Sequence, residues 1–97
     1  MNFEILVMYT ARSEGDRELF VQEMKDSGIL DAIRKEKGCI KYDYLYSDSD
    51  KCSLMLYELW ESDEHQKIHM TQPHMADAMN IKNKYISSVI LKKLNNL

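Results

Sequence analysis

The residues best equipped for chemistry crowd into one stretch. Residues 57–75 read YELWESDEHQKIHMTQPHM and hold the only Trp, all three His and the only Pro of the chain. Histidine titrates nearest neutrality, so His69 and His74 are candidate proton carriers. Trp60 offers a flat apolar wall and one indole N–H donor. Glu58 stands two positions earlier and can orient a histidine. Tyr42, Tyr44 and Tyr57 carry hydroxyls that can line a pocket or donate to an oxygen. His65 and His69 lie four apart, so one helix face could present both to an ion, with Glu61 four further back. That set is incomplete: Glu61 falls before the expected helix, and no Cys or Asp is placed to supply the missing ligand. No metal site is expected.

Each of these residues also has an ordinary reading. A Trp at a strand end packs in cores and interfaces. His69, next to a core-facing Ile68, can be a hydrogen-bonded helix residue. His74 can stabilise a restarted helix, and tyrosines are common strand residues.

The elements that must position these groups follow in order. Phe3 to Thr10 is a β-prone run of strand length. Ser13 and Asp16 resemble a capping box opening a helix, with Leu19, Phe20, Glu23 and Met24 along one side. Ser27-Gly28 interrupts it. Ile29, Leu30 and Ile33 make a second short apolar face, which Gly38 stops. Cys39 to Ser47 alternates as a strand, 47–50 is turn chemistry, and Cys52 to Trp60 is the next strand. With the turn centred on Asp48-Ser49, Leu45 would face Cys52 and Cys39 would face Glu58. The cysteines would then lie roughly 20 Å apart, beyond disulfide reach, as small buried residues. In that register Ile40, Tyr42, Tyr44, Met55, Tyr57 and Leu59 share one face, and Leu45, Leu54, Leu56 and Trp60 the other. Ser62, Asp63 and Glu64 open a helix. Pro73 restarts it, with Met75, Ala76 and Met79 on its apolar side. Ile86 to Leu94 is a last strand, and residues 95–97 are expected to be loose.

This order predicts an α+β fold, ferredoxin-like β-α-β-β-α-β, with a four-stranded antiparallel sheet and helices on one face. Residues 1–97 form a single domain, since 97 residues leave no room for a second. Apolar groups on both faces of the 39–60 hairpin predict a homodimer that packs sheet on sheet. Sixteen acidic against thirteen basic residues give a formal charge of -3, which predicts no nucleic-acid partner. No run approaches the ~20 apolar residues of a membrane helix, no leader peptide is visible, and the two cysteines make no disulfide scaffold. A cytoplasmic protein without a membrane partner is the expectation.

Glu58-Leu59-Trp60, His69 nine residues after the Trp, then Thr71, Pro73 and His74 resemble the pattern of the antibiotic biosynthesis monooxygenase superfamily. The resemblance extends to element order and length. It implies a dimeric α+β barrel. It also implies a cofactor-free monooxygenase that oxidises a quinol-like or phenolic small molecule with O2. In such chemistry the substrate is deprotonated and its electron-rich anion reduces O2. The protein supplies an apolar pocket, a base and a donor for the developing oxyanion. On this reading His69 is the base and Trp60 the wall and donor, the two catalytic residues. Tyr42, Tyr44, Tyr57, Glu58 and His74 bind substrate, and no metal or cofactor takes part.

Other branches fit less well or differently. The haem-degrading branch is disfavoured. Its first-strand Asn is missing between Phe3 and Thr10, His69 stands at its helical Trp position, and Met79 stands where its haem ligand would be. His69-Met70-Thr71-Gln72-Pro73-His74 is closer to the branch that isomerises the phosphorylated autoinducer-2 signal, but no arginine falls in that motif. An isomerase or tautomerase of a small oxygenated metabolite is the first alternative. A non-catalytic ligand-binding or stress module is the second.

Overall fold

The structure, a computed structural model, describes residues 1–94. The expectation for 95–97 lies outside the described residues. The chain forms β1 (Phe3–Ala11), α1 (Glu14–Asp26), α2 (Ile29–Arg34), β2 (Cys39–Tyr46), β3 (Ser53–Trp60), α3 (Asp63–Met70), α4 (His74–Tyr85) and β4 (Ile86–Lys93). The strands make one antiparallel sheet in the order β2-β3-β1-β4. The ferredoxin-like reading holds, with each crossover built from two helices.

Local chemistry sets the boundaries. Ser13 caps α1 and accepts the Asp16 N–H at 3.1 Å. Ser62 caps α3 and accepts from the His65 N–H. Gly28 separates α1 from α2 at φ 82°, in the left-handed region that only glycine enters cheaply. Arg17 ties α1 to the hairpin: its guanidinium donates to the carbonyls of Ser47, Asp50 and Ser53 and lies over the Tyr46 ring.

The core fills the space between sheet and helices. Ile5, Val7, Tyr9, Leu54, Leu56 and Trp60 come from the sheet. Phe20, Val21, Met24, Ile29, Leu30, Ile33, Ala78 and Ile81 come from the helices.

Three sequence expectations need correction. The first concerns the hairpin. Tyr42 pairs with Glu58, Tyr44 with Leu56 and Leu45 with Met55. The connection is wider than a two-residue turn, which moves the register by three positions. An odd shift exchanges the two faces. Tyr42 and Tyr44 therefore join Leu54, Leu56, Glu58 and Trp60 under the helices, while Leu45, Met55, Tyr57 and Leu59 face away. A bulge between Cys39 and Lys41 lets Cys39 sit opposite Trp60 as well. Both cysteines are free and half-buried.

The second correction concerns α1 and α4. Leu19 is exposed, and Arg17, Phe20, Val21 and Met24 form the buried side. Met79 is exposed while Ala78 and Ile81 are buried. The third is in α3. Ile68 is 57% exposed and His69 is 1% exposed, so the imidazole takes the inward position.

Candidate active site

β3 ends on the inward side with Glu58 and Trp60, both buried. The cap at Ser62 fixes where α3 begins, and His69 falls on the turn that passes over the Trp60 ring. The two rings are 4.7 Å apart between centroids and 34° from parallel. Tyr42, the cross-strand partner of Glu58, meets His69 edge-on at 5.7 Å. An apolar slot two rings wide thus fixes the imidazole plane.

The polar edges of these groups are also committed. The Trp60 indole N–H donates to Glu58 Oε1 at 3.0 Å. His69 Nδ1 lies 2.9 and 3.1 Å from the two oxygens of Glu36, and His74 Nε2 lies 2.7 Å from Glu36 Oε2. A carboxylate accepts and cannot donate, so the ring nitrogens facing Glu36 carry the protons. In the neutral imidazole this makes His69 Nε2, on the opposite ring edge, the lone-pair nitrogen. A histidine aimed in this way by a carboxylate is poised to take a proton.

His69 borders a hollow of about 70 Å³ between the sheet and helices α3 and α4. Val7, Tyr9, Tyr42, Glu58, Gln66, Met70, Met75, Lys82, Val89 and Leu91 complete its wall. The polar groups in this wall feel their burial. Glu58 is pushed above its ordinary carboxyl range by desolvation, against the pull of the Trp60 N–H, His69 and Lys82. Burial lowers the Lys82 ammonium, against the opposing charge of Glu58. Tyr9 and Tyr42 are raised by burial and so stay protonated as donors. The site therefore combines a proton acceptor, a carboxyl group shifted toward neutrality, two phenolic donors and one cation in apolar surroundings.

Of the sequence candidates, the structure gathers Trp60, His69, Glu58 and Tyr42 at one place. Trp60 stands behind His69 as its support, outside the lining of the hollow, with its N–H committed to Glu58. His74 joins through Glu36, outside the hollow. Tyr44 packs edge-on to Phe20 at 5.7 Å, and its buried hydroxyl finds no partner among the described residues. Tyr57 lies on the opposite sheet face and donates to Glu4, which raises its hydroxyl to about 12. Neither Tyr44 nor Tyr57 lines the hollow.

Sequence reasoning missed Glu36, Tyr9 and Lys82. Glu36 was findable from the correct register alone. Cys39 pairs with Trp60 and the Glu61 N–H donates to the Gly38 carbonyl, so the turn before β2 must lie beside the end of β3. Tyr9 falls on the inward alternation of β1. Lys82 gives no signal in sequence, being one lysine among several near the end of a helix.

Glu36, His69 and His74 also offer one oxygen and two nitrogens within 4.8 Å of one another. An ion there would have to displace both N–H protons that now satisfy the carboxylate. The pair weighed from sequence is not assembled: His65 Nδ1 turns back to Ser62 Oγ at 2.7 Å.

Comparison with known proteins agrees with this architecture. The family model for antibiotic biosynthesis monooxygenases matches residues 3–81. The YjcS protein of Bacillus subtilis (strain 168) is 32% identical over 65 residues, spanning 67% of this chain and 60% of that protein. The solved structure of PA3566 from Pseudomonas aeruginosa superposes with a TM-score of 0.82 at 21% identity, covering 99% of this chain and 94% of the other. A Bacteroides thetaiotaomicron VPI-5482 protein, described as a possible oxidoreductase, gives a TM-score of 0.82 at 25% identity, covering 96% and 95%.

Proposed function

The chain belongs to the antibiotic biosynthesis monooxygenase family, and on that premise we propose that it oxidises a small phenolic or quinol-like molecule with O2, without flavin or metal. His69 Nε2 takes the substrate hydroxyl proton. The resulting anion passes an electron to O2, and radical recombination at a ring carbon gives a hydroperoxide. Loss of water from it leaves a new carbonyl. For a hydroquinone with a free ring C–H the balance is hydroquinone plus O2 giving hydroxyquinone plus water, so the substrate supplies every electron. Glu36, held by His74, positions His69. Trp60 keeps the imidazole in plane and holds Glu58, and Tyr9 and Tyr42 donate to oxygens formed during the reaction. Apolar walls exclude water from the anion.

The observation that supports this reading most is the pairing of a fully buried, carboxylate-oriented imidazole with a hollow that contains it. An isomerase draws on the same feature, since Glu58 and His69 could shuttle a proton between two carbons of one substrate. Oxygen uptake separates the two. Metal-stripped protein is incubated with a panel of hydroquinones and naphthols in an oxygen electrode. Uptake equal to product formed, reduced about 10²–10⁴-fold by His69→Ala, is expected. Product without oxygen loss would establish the isomerase, and no turnover on any compound would leave a binding role.

A further inference from the structure

Lys82 is the one charged group of the hollow that the reaction outlined above does not use. It sits on α4, facing Glu58 of β3 across the cavity wall, and burial lowers its ammonium while Glu58 opposes the change. Among the described residues it makes no ion pair: the carboxylates within reach of a cation elsewhere are taken by Arg17, Arg34, His65, Lys67, His69, His74 and Lys84. A half-buried ammonium with no direct partner costs desolvation that the charge of Glu58 offsets only in part.

The same side chain also lines an adjoining cavity of about 400 Å³, which shares Met70 and Met75 with the hollow. The hollow alone, at about 70 Å³, accommodates the oxygen-bearing edge of a ring and little more. The ring itself finds room in the spaces that adjoin the hollow: the one of about 400 Å³, and another of about 330 Å³ that shares Lys82 and Val89 with the hollow. The hollow and the larger space share Lys82 and two pliable methionines. Lys82, common to all three spaces, therefore stands at their border with the hollow.

We propose that Lys82 is the oxyanion-binding residue of this site and that the ligand enters as a monoanion. One ionised oxygen rests on the Lys82 ammonium, and a second, protonated oxygen donates to Glu58 or His69. The substrate class is then a dioxygenated ring or an enediol, in preference to a simple neutral phenol. The opposed charges of Lys82 and Glu58 make the selection. An anion without a hydroxyl is repelled by Glu58, and a neutral ring leaves the ammonium unpaired. This inference rests on the proposed binding of a hydroxyaromatic in the hollow.

The probe is 4-nitrocatechol, whose neutral and anionic forms differ in colour and whose two oxygens match the two walls. It is titrated into the wild type and into Lys82→Met and Lys82→Arg, at a pH where the free dye is mainly neutral. The fold of each variant is checked by circular dichroism. The wild type and Lys82→Arg are expected to bind the dye with the spectrum of the monoanion. Lys82→Met should bind about tenfold more weakly, with the spectrum of the neutral form. Monoanion bound equally by Lys82→Met, or neutral dye bound by the wild type, overturns the role of Lys82 while leaving the hollow as a phenol site. A wild type that binds no dye overturns both.

Discussion

Glu58 shows how one residue can serve the site at the expense of the fold. Its carboxyl is raised above the ordinary value of 4.5, chiefly by burial. A raised acid favours the folded state only while protonated. Its contribution is therefore fully present below 4.5 and is lost as pH climbs through the folded-state value. Glu58→Gln keeps an oxygen for the Trp60 N–H and removes the charge. Thermal melts should give a higher Tm for the variant near pH 7 and no difference near pH 4. An equal Tm at both would mean that the carboxyl is not held in a desolvated place. At the same scale, His69 and Trp60 were legible as a pair from type and spacing. Their division of labour was not, because which ring meets the hollow depends on how a helix turn lies over a strand end.

At the scale of elements, residue periodicity located each helix and strand to within a few positions. Caps such as Ser13 and Ser62 leave little choice, and Pro73 and Gly28 admit few alternatives. The hairpin face was missed because six turn-prone residues between β2 and β3 allow several registers, and an odd step between them exchanges inside and outside. Arg17 is part of what selects the register, since its guanidinium holds two carbonyls of that turn and the first of β3. Arg17→Met should cost about 2–3 kcal/mol in urea unfolding, the amount expected for losing charge-assisted hydrogen bonds to part-buried carbonyls. A loss under about 0.5 kcal/mol would mean that water replaces the guanidinium freely. Gly38 does the corresponding work for the site. At φ 85° and with the His65 side chain where a Cβ would stand, it lets the Glu36 turn approach α3. Gly38→Ala should destabilise the fold by about 1–3 kcal/mol and lower activity by displacing Glu36 from His69. Wild-type stability and activity in that variant would contradict the account of the turn.

For the whole molecule, the helices cover one face of the sheet and leave the other open. Leu45, Met55 and Ile90 are exposed there at 50%, 37% and 54%, beside half-buried Leu6, Met8, Tyr57 and Leu59. Lys41, Lys92, Glu4 and Asp43 surround this patch with both signs of charge, so a second copy turned about a twofold axis can satisfy it. A homodimer through this face is the expected state. Sedimentation should report twice the 11.5 kDa of one chain, and Leu45→Asp with Ile90→Asp should return it to a monomer. A wild type that sediments as a monomer at micromolar concentration would rule this surface out as a stable interface. Among the described residues no helix is long and apolar enough to cross a membrane. That agrees with the absence of a long apolar run in the sequence.

His69 acts here as a base that Glu36 holds at Nδ1, which leaves Nε2 to meet the substrate in the hollow. Nitrogen-15 NMR of histidine-labelled protein reads this directly, because protonated and bare ring nitrogens resonate far apart. One buried imidazole is expected to be protonated at Nδ1 and bare at Nε2 in its neutral form, with the Nδ1 proton lost to exchange in Glu36→Ala. A His69 ring bare at Nδ1, or the same Nδ1 signal without Glu36, would contradict it.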